Sequence, residues 1–120
     1  MLITGTTMVE RPHFMETFVT LECEGRSVAA VTEPIDMSNC GALHQAAKAV
    51  LERCPLIVDL SRCSYIDSMG LGVLLKLYRS YGRRLTVVVD PSSEIAAVFE
   101  ITEMYDVLPM APTLDAAIRS

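Results

Sequence analysis

Residues 56–75 read Leu56-Ile-Val-Asp-Leu-Ser-Arg-Cys-Ser-Tyr-Ile-Asp-Ser-Met-Gly-Leu-Gly-Val-Leu-Leu75. The first five are almost wholly apolar, as in a short strand covered on both faces. A polar turn follows. Leu71, Leu74, Tyr78 and Tyr81 then recur at helical spacing, with Val73 and Leu77 beside them, until Gly82 stops the pattern. Strand, turn and helix in direct succession form the unit from which parallel sheets are built. The turn sets one hydroxyl, Ser68, where the helix begins. The first backbone N–H groups of a helix lack partners, and the helix dipole favours negative charge at that end. A serine there caps the helix, or carries a phosphate that the helix tolerates.

The same alternation extends in both directions. Phe14–Cys23 and Arg26–Thr32 read as two strands of a hairpin around Glu24-Gly25. After Pro34, with Ser38 or Asn39 as N-cap, Leu43, Ala46, Ala47, Val50, Leu51 and Cys54 form a helical stripe that Pro55 ends. Leu85–Val89 is a β-branched strand bounded by Asp90-Pro91. Ser92 or Ser93 caps a third helix carrying Ile95, Val98 and Phe99. Val107-Leu108 reads as a short strand before Pro109, and Thr113 caps a last helix with Leu114, Ala117 and Ile118 inward. The predicted order is β-β-α-β-α-β-α-β-α. It implies an α/β fold with a mostly parallel mixed sheet, an antiparallel edge and about four helices. Residues 1–13 lack a clear period and are expected to be a flexible tail, leaving 14–120 as a single domain.

Composition excludes several function classes. Ten basic against fifteen acidic residues give a net charge of −5, which disfavours direct nucleic-acid binding. The local basic pair Arg83-Arg84 reads as a solvated turn. No apolar run approaches the roughly 20 residues that span a bilayer, and the N-terminus does not resemble a signal peptide, so a cytoplasmic protein without membrane insertion is expected. Cys23, Cys40, Cys54 and Cys63 include no C-x-x-C pair, so reduced thiols near the core are expected, with no metal site. His13 and His44 lack metal-ligand neighbours. Ser68 lacks the G-x-S-x-G elbow and an evident base, Gly70-Leu-Gly72 lacks the third glycine of a dinucleotide loop, and no Walker lysine motif is present. No catalytic residue, no cofactor and no enzyme activity are expected.

The Leu56–Leu75 stretch resembles the central signature of STAS domains, and most closely that of free-standing bacterial anti-sigma factor antagonists. The similarity runs from about Val19 to Arg119. It includes Ile35-Asp36 before the first helix and Phe99-Glu-Ile-Thr102 in the third. The resemblance implies a STAS fold and a protein that binds an anti-sigma factor, releasing a sigma factor. The anti-sigma factor in that family is usually also an ATP-dependent serine kinase, and a PP2C-type phosphatase reverses its action. The phosphorylated serine maps to Ser68, its preceding aspartate to Asp67, and the aspartate before the first helix to Asp36. Asp36, Asp67, Ser68, Met69, Gly70 and Leu71 are thereby implied in partner binding, on a monomer or weak dimer. Met69 stands where the family often has a hydroxyl residue, which leaves a single acceptor. Glu33-Pro34 replaces a frequent Gly-Glu, and Glu103 replaces a common glycine after Thr102.

A phosphate on Ser68 adds about −1.5 to −2 charges. The helix terminus offsets roughly 0.3–1 kcal/mol of repulsion. A carboxylate about 6 Å away opposes the phosphate by roughly 3 kcal/mol per unit charge at an effective dielectric near 20, before salt screening. The modified domain is therefore expected to stay folded. Burying an unpaired phosphate in an interface costs several kcal/mol, and about 1.4 kcal/mol is tenfold in affinity. Blocked binding, with Met69 and Leu71 as apolar contacts beside Ser68, is the expected switch. The alternative function is a soluble STAS subunit regulating a lipid or anion transport complex.

Overall fold

A computed structural model describes residues 19–23 and 25–120. The expected 1–13 tail and the expected strand start at Phe14 lie outside the described residues. The elements are β1 (Val19–Cys23), β2 (Arg26–Ala30), α1 (Cys40–Leu51), β3 (Leu56–Asp59), α2 (Ser68–Tyr81), β4 (Leu85–Val88), α3 (Glu94–Ile101), β5 (Met110–Ala111) and α4 (Leu114–Arg119). The strands lie in the order β1-β2-β3-β4-β5. β1 pairs antiparallel with β2 across a turn in which Gly25 takes φ +83. The pairs β2–β3, β3–β4 and β4–β5 are parallel. The α/β class, the antiparallel edge and the four helices match the reading of the sequence.

Each parallel crossover steps one strand in the same direction. Right-handed crossovers that never reverse place their helices on one face. The buried side chains follow that rule. Ala29, Leu56, Val58, Leu85 and Val87 pack with Leu43 and Val50 of α1, Leu74 and Leu77 of α2, and Ile95 and Phe99 of α3. Val28, Ile57 and Val88 point to the opposite face and pack with Ala117, backed by Leu114 and Ile118 of α4. Both faces of β2, β3 and β4 are thus covered, which is why those strands read as continuous apolar runs.

The last strand departs from expectation. Val107 and Leu108 both donate backbone N–H groups to the Met104 carbonyl, closing a 3-10 turn over Met104–Asp106. Those N–H groups are therefore lost to the ladder. Pairing begins only at the Pro109 carbonyl, which accepts the Val87 N–H at 2.9 Å.

Candidate functional site

The site lies at the carboxyl ends of β2 and β3, the edge where open parallel sheets place their functional loops. Val31 N–H still reaches the Asp59 carbonyl at 3.0 Å beyond the end of β2. The chain then loops out and returns at Ile35, which forms an isolated parallel bridge with Ile66. Ile35 N–H donates to the Tyr65 carbonyl at 2.9 Å, and Asp67 N–H donates to the Ile35 carbonyl at 3.1 Å. Both isoleucines are buried. Partners in a parallel pair advance together, so the bridge sets Asp36 alongside Asp67. The sequence carries a signal for this contact that the strand pattern misses: the dipeptide Ile-Asp occurs at 35–36 and again at 66–67.

Each aspartate organises backbone. The Asp36 carboxylate accepts the Ser38 N–H at 2.9 Å and the Ser38 hydroxyl. Its carbonyl accepts the Asn39 and Cys40 N–H groups at 3.1 and 2.9 Å. The Ser38 hydroxyl and then the Ser38 N–H hold the Asp36 carboxyl below the ordinary aspartate range. Asn39 occupies the N-cap of α1, but its side chain turns backwards. Its amide oxygen accepts the Asp36 N–H at 2.9 Å, while its amide nitrogen donates to the Pro34 carbonyl at 2.7 Å. The turn between β2 and α1 is therefore tied at both ends.

Asp67, in extended conformation, is the N-cap of α2, and its carboxylate accepts the Gly70 N–H at 3.0 Å. Of the two readings open for Ser68, the cap is thereby taken by its neighbour. Ser68 is the first helical residue instead and is exposed, and its hydroxyl makes no hydrogen bond among the described residues. With the cap supplied by its neighbour, that hydroxyl is available for chemistry from solvent.

Two residues implied as partner contacts are buried. A Cβ built on Gly70 would meet Ile35 Cγ2 and Ile66 Cγ1 at 2.7 Å each. Only glycine lets the first turn of α2 rest directly on the Ile35–Ile66 bridge. Leu71, expected as apolar contact beside Ser68, is 5% exposed and belongs to the core. Both shape the site from beneath and leave Ser68 and Met69 on the surface. Cys63 supports the same loops, with its thiol facing the Tyr65 carbonyl at 3.3 Å and the Glu33 carbonyl at 3.4 Å. Burial pushes this thiol up, away from the reactive thiolate.

Nothing in the described residues assembles a catalytic centre around Ser68. His44 is half-buried on α1, its basicity lowered by burial and by Lys76 and Lys48 nearby, and no described hydrogen bond joins it to the serine. No group of three His, Cys, Asp or Glu side chains among the described residues could hold a metal ion. No described helix is long and apolar enough to cross a membrane. A cavity of about 960 Å³ lies at the opposite edge of the sheet, lined in part by Arg26, Tyr81, Arg83, Arg84 and Tyr105. Arg26 and Arg84 there already donate to the carbonyl ends of α4 and α1.

The sequence profile of the STAS domain matches residues 18–117. An anti-sigma factor antagonist from Mycobacterium paratuberculosis shares 31% sequence identity. The alignment covers 84% of this chain and 92% of that one, with a TM-score of 0.73. A candidate anti-sigma factor antagonist from Thermotoga maritima shares the fold at 16% identity, covering 85% and 92% of the two chains, with a TM-score of 0.74. The murine solute carrier 26 family member A9 anion transporter shares it at 19% identity and a TM-score of 0.66, over 82% of this chain but 18% of that one. No curated protein sequence matches the chain.

Proposed function

The chain belongs to the STAS domain family, and from that premise we propose that it is an anti-sigma factor antagonist switched off by phosphorylation of Ser68. The observation that carries the reading is the exposed Ser68 hydroxyl on the first residue of α2, without a hydrogen bond among the described residues, while Asp67 caps the helix. In this reading the anti-sigma factor is a serine kinase that binds ATP. The Ser68 oxygen attacks the γ-phosphorus, ADP leaves, and the serine proton passes to the kinase. The chain is the substrate of this step, and the kinase supplies the catalytic groups. The 31% identical antagonist, matched over most of both chains, supports the regulatory role. A PP2C-type phosphatase completes the cycle, and the protein acts in the cytoplasm. The transporter similarity is one of fold alone and does not support a transport reading.

Binding requires a surface that excludes water around Ser68. A phosphate left unpaired there costs several kcal/mol, and about 1.4 kcal/mol is tenfold in affinity, so the modified form is expected to bind at least 100-fold more weakly. The reading is tested by recovering partners of the wild-type chain and of Ser68→Ala in the presence of ATP. Mass spectrometry then identifies the partner and the modified residue. A kinase partner with phosphate on Ser68 is expected. Phosphate on another residue, or no kinase, contradicts it.

A further inference from the structure

Six large apolar side chains are exposed among the described residues, and they fall into two groups. Ile101, Tyr105 and Val107 follow one another at the end of α3 and in the turn after it. The other three come from separate segments. Met37 is 76% exposed, Tyr65 52% and Met69 52%. Met37 lies two residues after Ile35, Tyr65 one residue before Ile66, and Met69 directly after Ser68. The Ile35–Ile66 bridge sets the segments that carry Met37 and Tyr65 side by side, next to the start of α2 with Ser68 and Met69.

We propose that Met37, Tyr65 and Met69 are the apolar anchors by which this chain holds its anti-sigma factor, and that they make a phosphate on Ser68 inhibitory. The proposal rests on the function assigned above. Each anchor is presented by rigid backbone. Met37 rides the turn that the Asp36 carboxylate and the Asn39 amide tie down. The Tyr65 carbonyl holds the Ile35 N–H. Met69 sits in the first turn of α2 beneath the Asp67 cap. Rigid presentation lowers the ordering cost of binding, and exposed apolar clusters of this kind mark interaction surfaces. Tyrosine is enriched among residues that dominate interfaces, and flexible thioethers adapt to the surface they meet.

Charge decides which occupant fits. A second copy related by a two-fold axis would set Asp36 and Asp67 against their own equivalents. An anionic membrane surface would face the same carboxylates. The fitting occupant is a different protein, offering an apolar patch flanked by hydrogen-bond donors that match the two aspartates. Once that patch covers the three anchors, Ser68 lies in a dry setting that a dianion cannot enter without losing its water.

The test uses the anti-sigma factor kinase recovered with the wild-type chain, purified, and titrated calorimetrically. The titrants are wild type, Met37→Ser, Tyr65→Ser and the double variant, each with Ser68 and with Ser68→Asp. The substituted positions are exposed, so thermal midpoints within a few degrees of wild type are expected. Met37→Gln and Tyr65→Gln serve as second variants where serine disturbs folding. Each single variant is expected to bind at least tenfold more weakly. The fold-loss caused by Ser68→Asp is expected to shrink in the double variant, where the charge meets hydrated surface. Wild-type affinity in Met37→Ser and Tyr65→Ser would overturn the proposal. So would anchor-dependent self-association, or anchor-dependent binding to phosphatidylserine vesicles, in place of kinase binding. If the anchors matter but Ser68→Asp binds as tightly as wild type, the switch fails while the anchors stand. If wild type recovers no kinase, both readings fall together.

Discussion

Two aspartates flank Ser68, and each has a carboxylate oxygen engaged with backbone before any partner arrives. The Asp36 carboxyl titrates below the ordinary aspartate range, chiefly through Ser38. A group whose folded pKa is depressed contributes stability above its unfolded pKa of about 3.9 and loses it as pH falls through the folded value. The 36–39 turn should therefore keep its Ser38 amide protected at neutral pH and loosen below about pH 4. Amide exchange read by NMR along a pH series checks this, and protection unchanged down to full protonation would contradict it. Gly70 and Gly72 make a paired test. A methyl on Gly70 collides with Ile35 and Ile66 at 2.7 Å, whereas nothing lies within 4 Å of one on Gly72. Gly70→Ala should cost roughly 1–3 kcal/mol in urea unfolding, as overpacking does. Gly72→Ala should gain up to about 1 kcal/mol from helix propensity. From sequence both glycines belong to one motif. Which of them is crowded depends on a contact with Ile35, more than thirty positions away.

At the scale of elements, periodicity was enough where a helix or strand has one dominant partner. The stripes of α1 and α2 and the apolar runs of β2, β3 and β4 follow directly from apolar spacing. It failed where backbone hydrogen bonds compete. Val107-Leu108 has strand-like residues, but the Met104 carbonyl takes both N–H groups, and the strand forms beyond Pro109. The caps show the same limit. Thr113 caps α4 through the Ala116 N–H, as its type suggests. Ser93 occupies the N-cap of α3 but donates its hydroxyl to the Asp90 carbonyl instead. Glu103 follows the end of α3 with φ 61, a left-handed conformation that glycine adopts without cost. Glu103→Gly should therefore stabilise the fold by about 1 kcal/mol despite the added freedom of the unfolded chain. Chemical denaturation checks this, and a loss of stability would show that the Glu103 side chain contributes more than its backbone costs.

For the whole molecule, topology separates two ends of one sheet. The carboxyl ends of β2 and β3 carry Ser68, Asp36, Asp67 and the exposed methionines. At the amino end of β2, Arg26 donates to the Ala117 carbonyl at 2.6 Å and to the Ser120 carbonyl. A helix as short as α4 is not stable alone, so its docking depends on such contacts and on the Val28, Ile57 and Val88 face. Arg26→Ala should speed hydrogen exchange over 114–119 by tenfold or more while leaving α2 protected and partner binding unchanged. Equal exchange would mean that apolar packing alone holds α4. The position of Ser68 at a helix start was legible from sequence, because strand, turn and helix follow one another without interruption. The proposed roles of Met37 and Tyr65 were not legible, because only the Ile35–Ile66 bridge brings their segments together beside the start of α2. The central claim is that a phosphate on Ser68 blocks binding without unfolding the domain. The most direct measurement is calorimetric titration of stoichiometrically phosphorylated protein against its anti-sigma factor, beside the unmodified form. At least 100-fold weaker binding, with a thermal midpoint within a few degrees of the unmodified protein, is the predicted result, whereas equal affinity in the two forms would contradict the account.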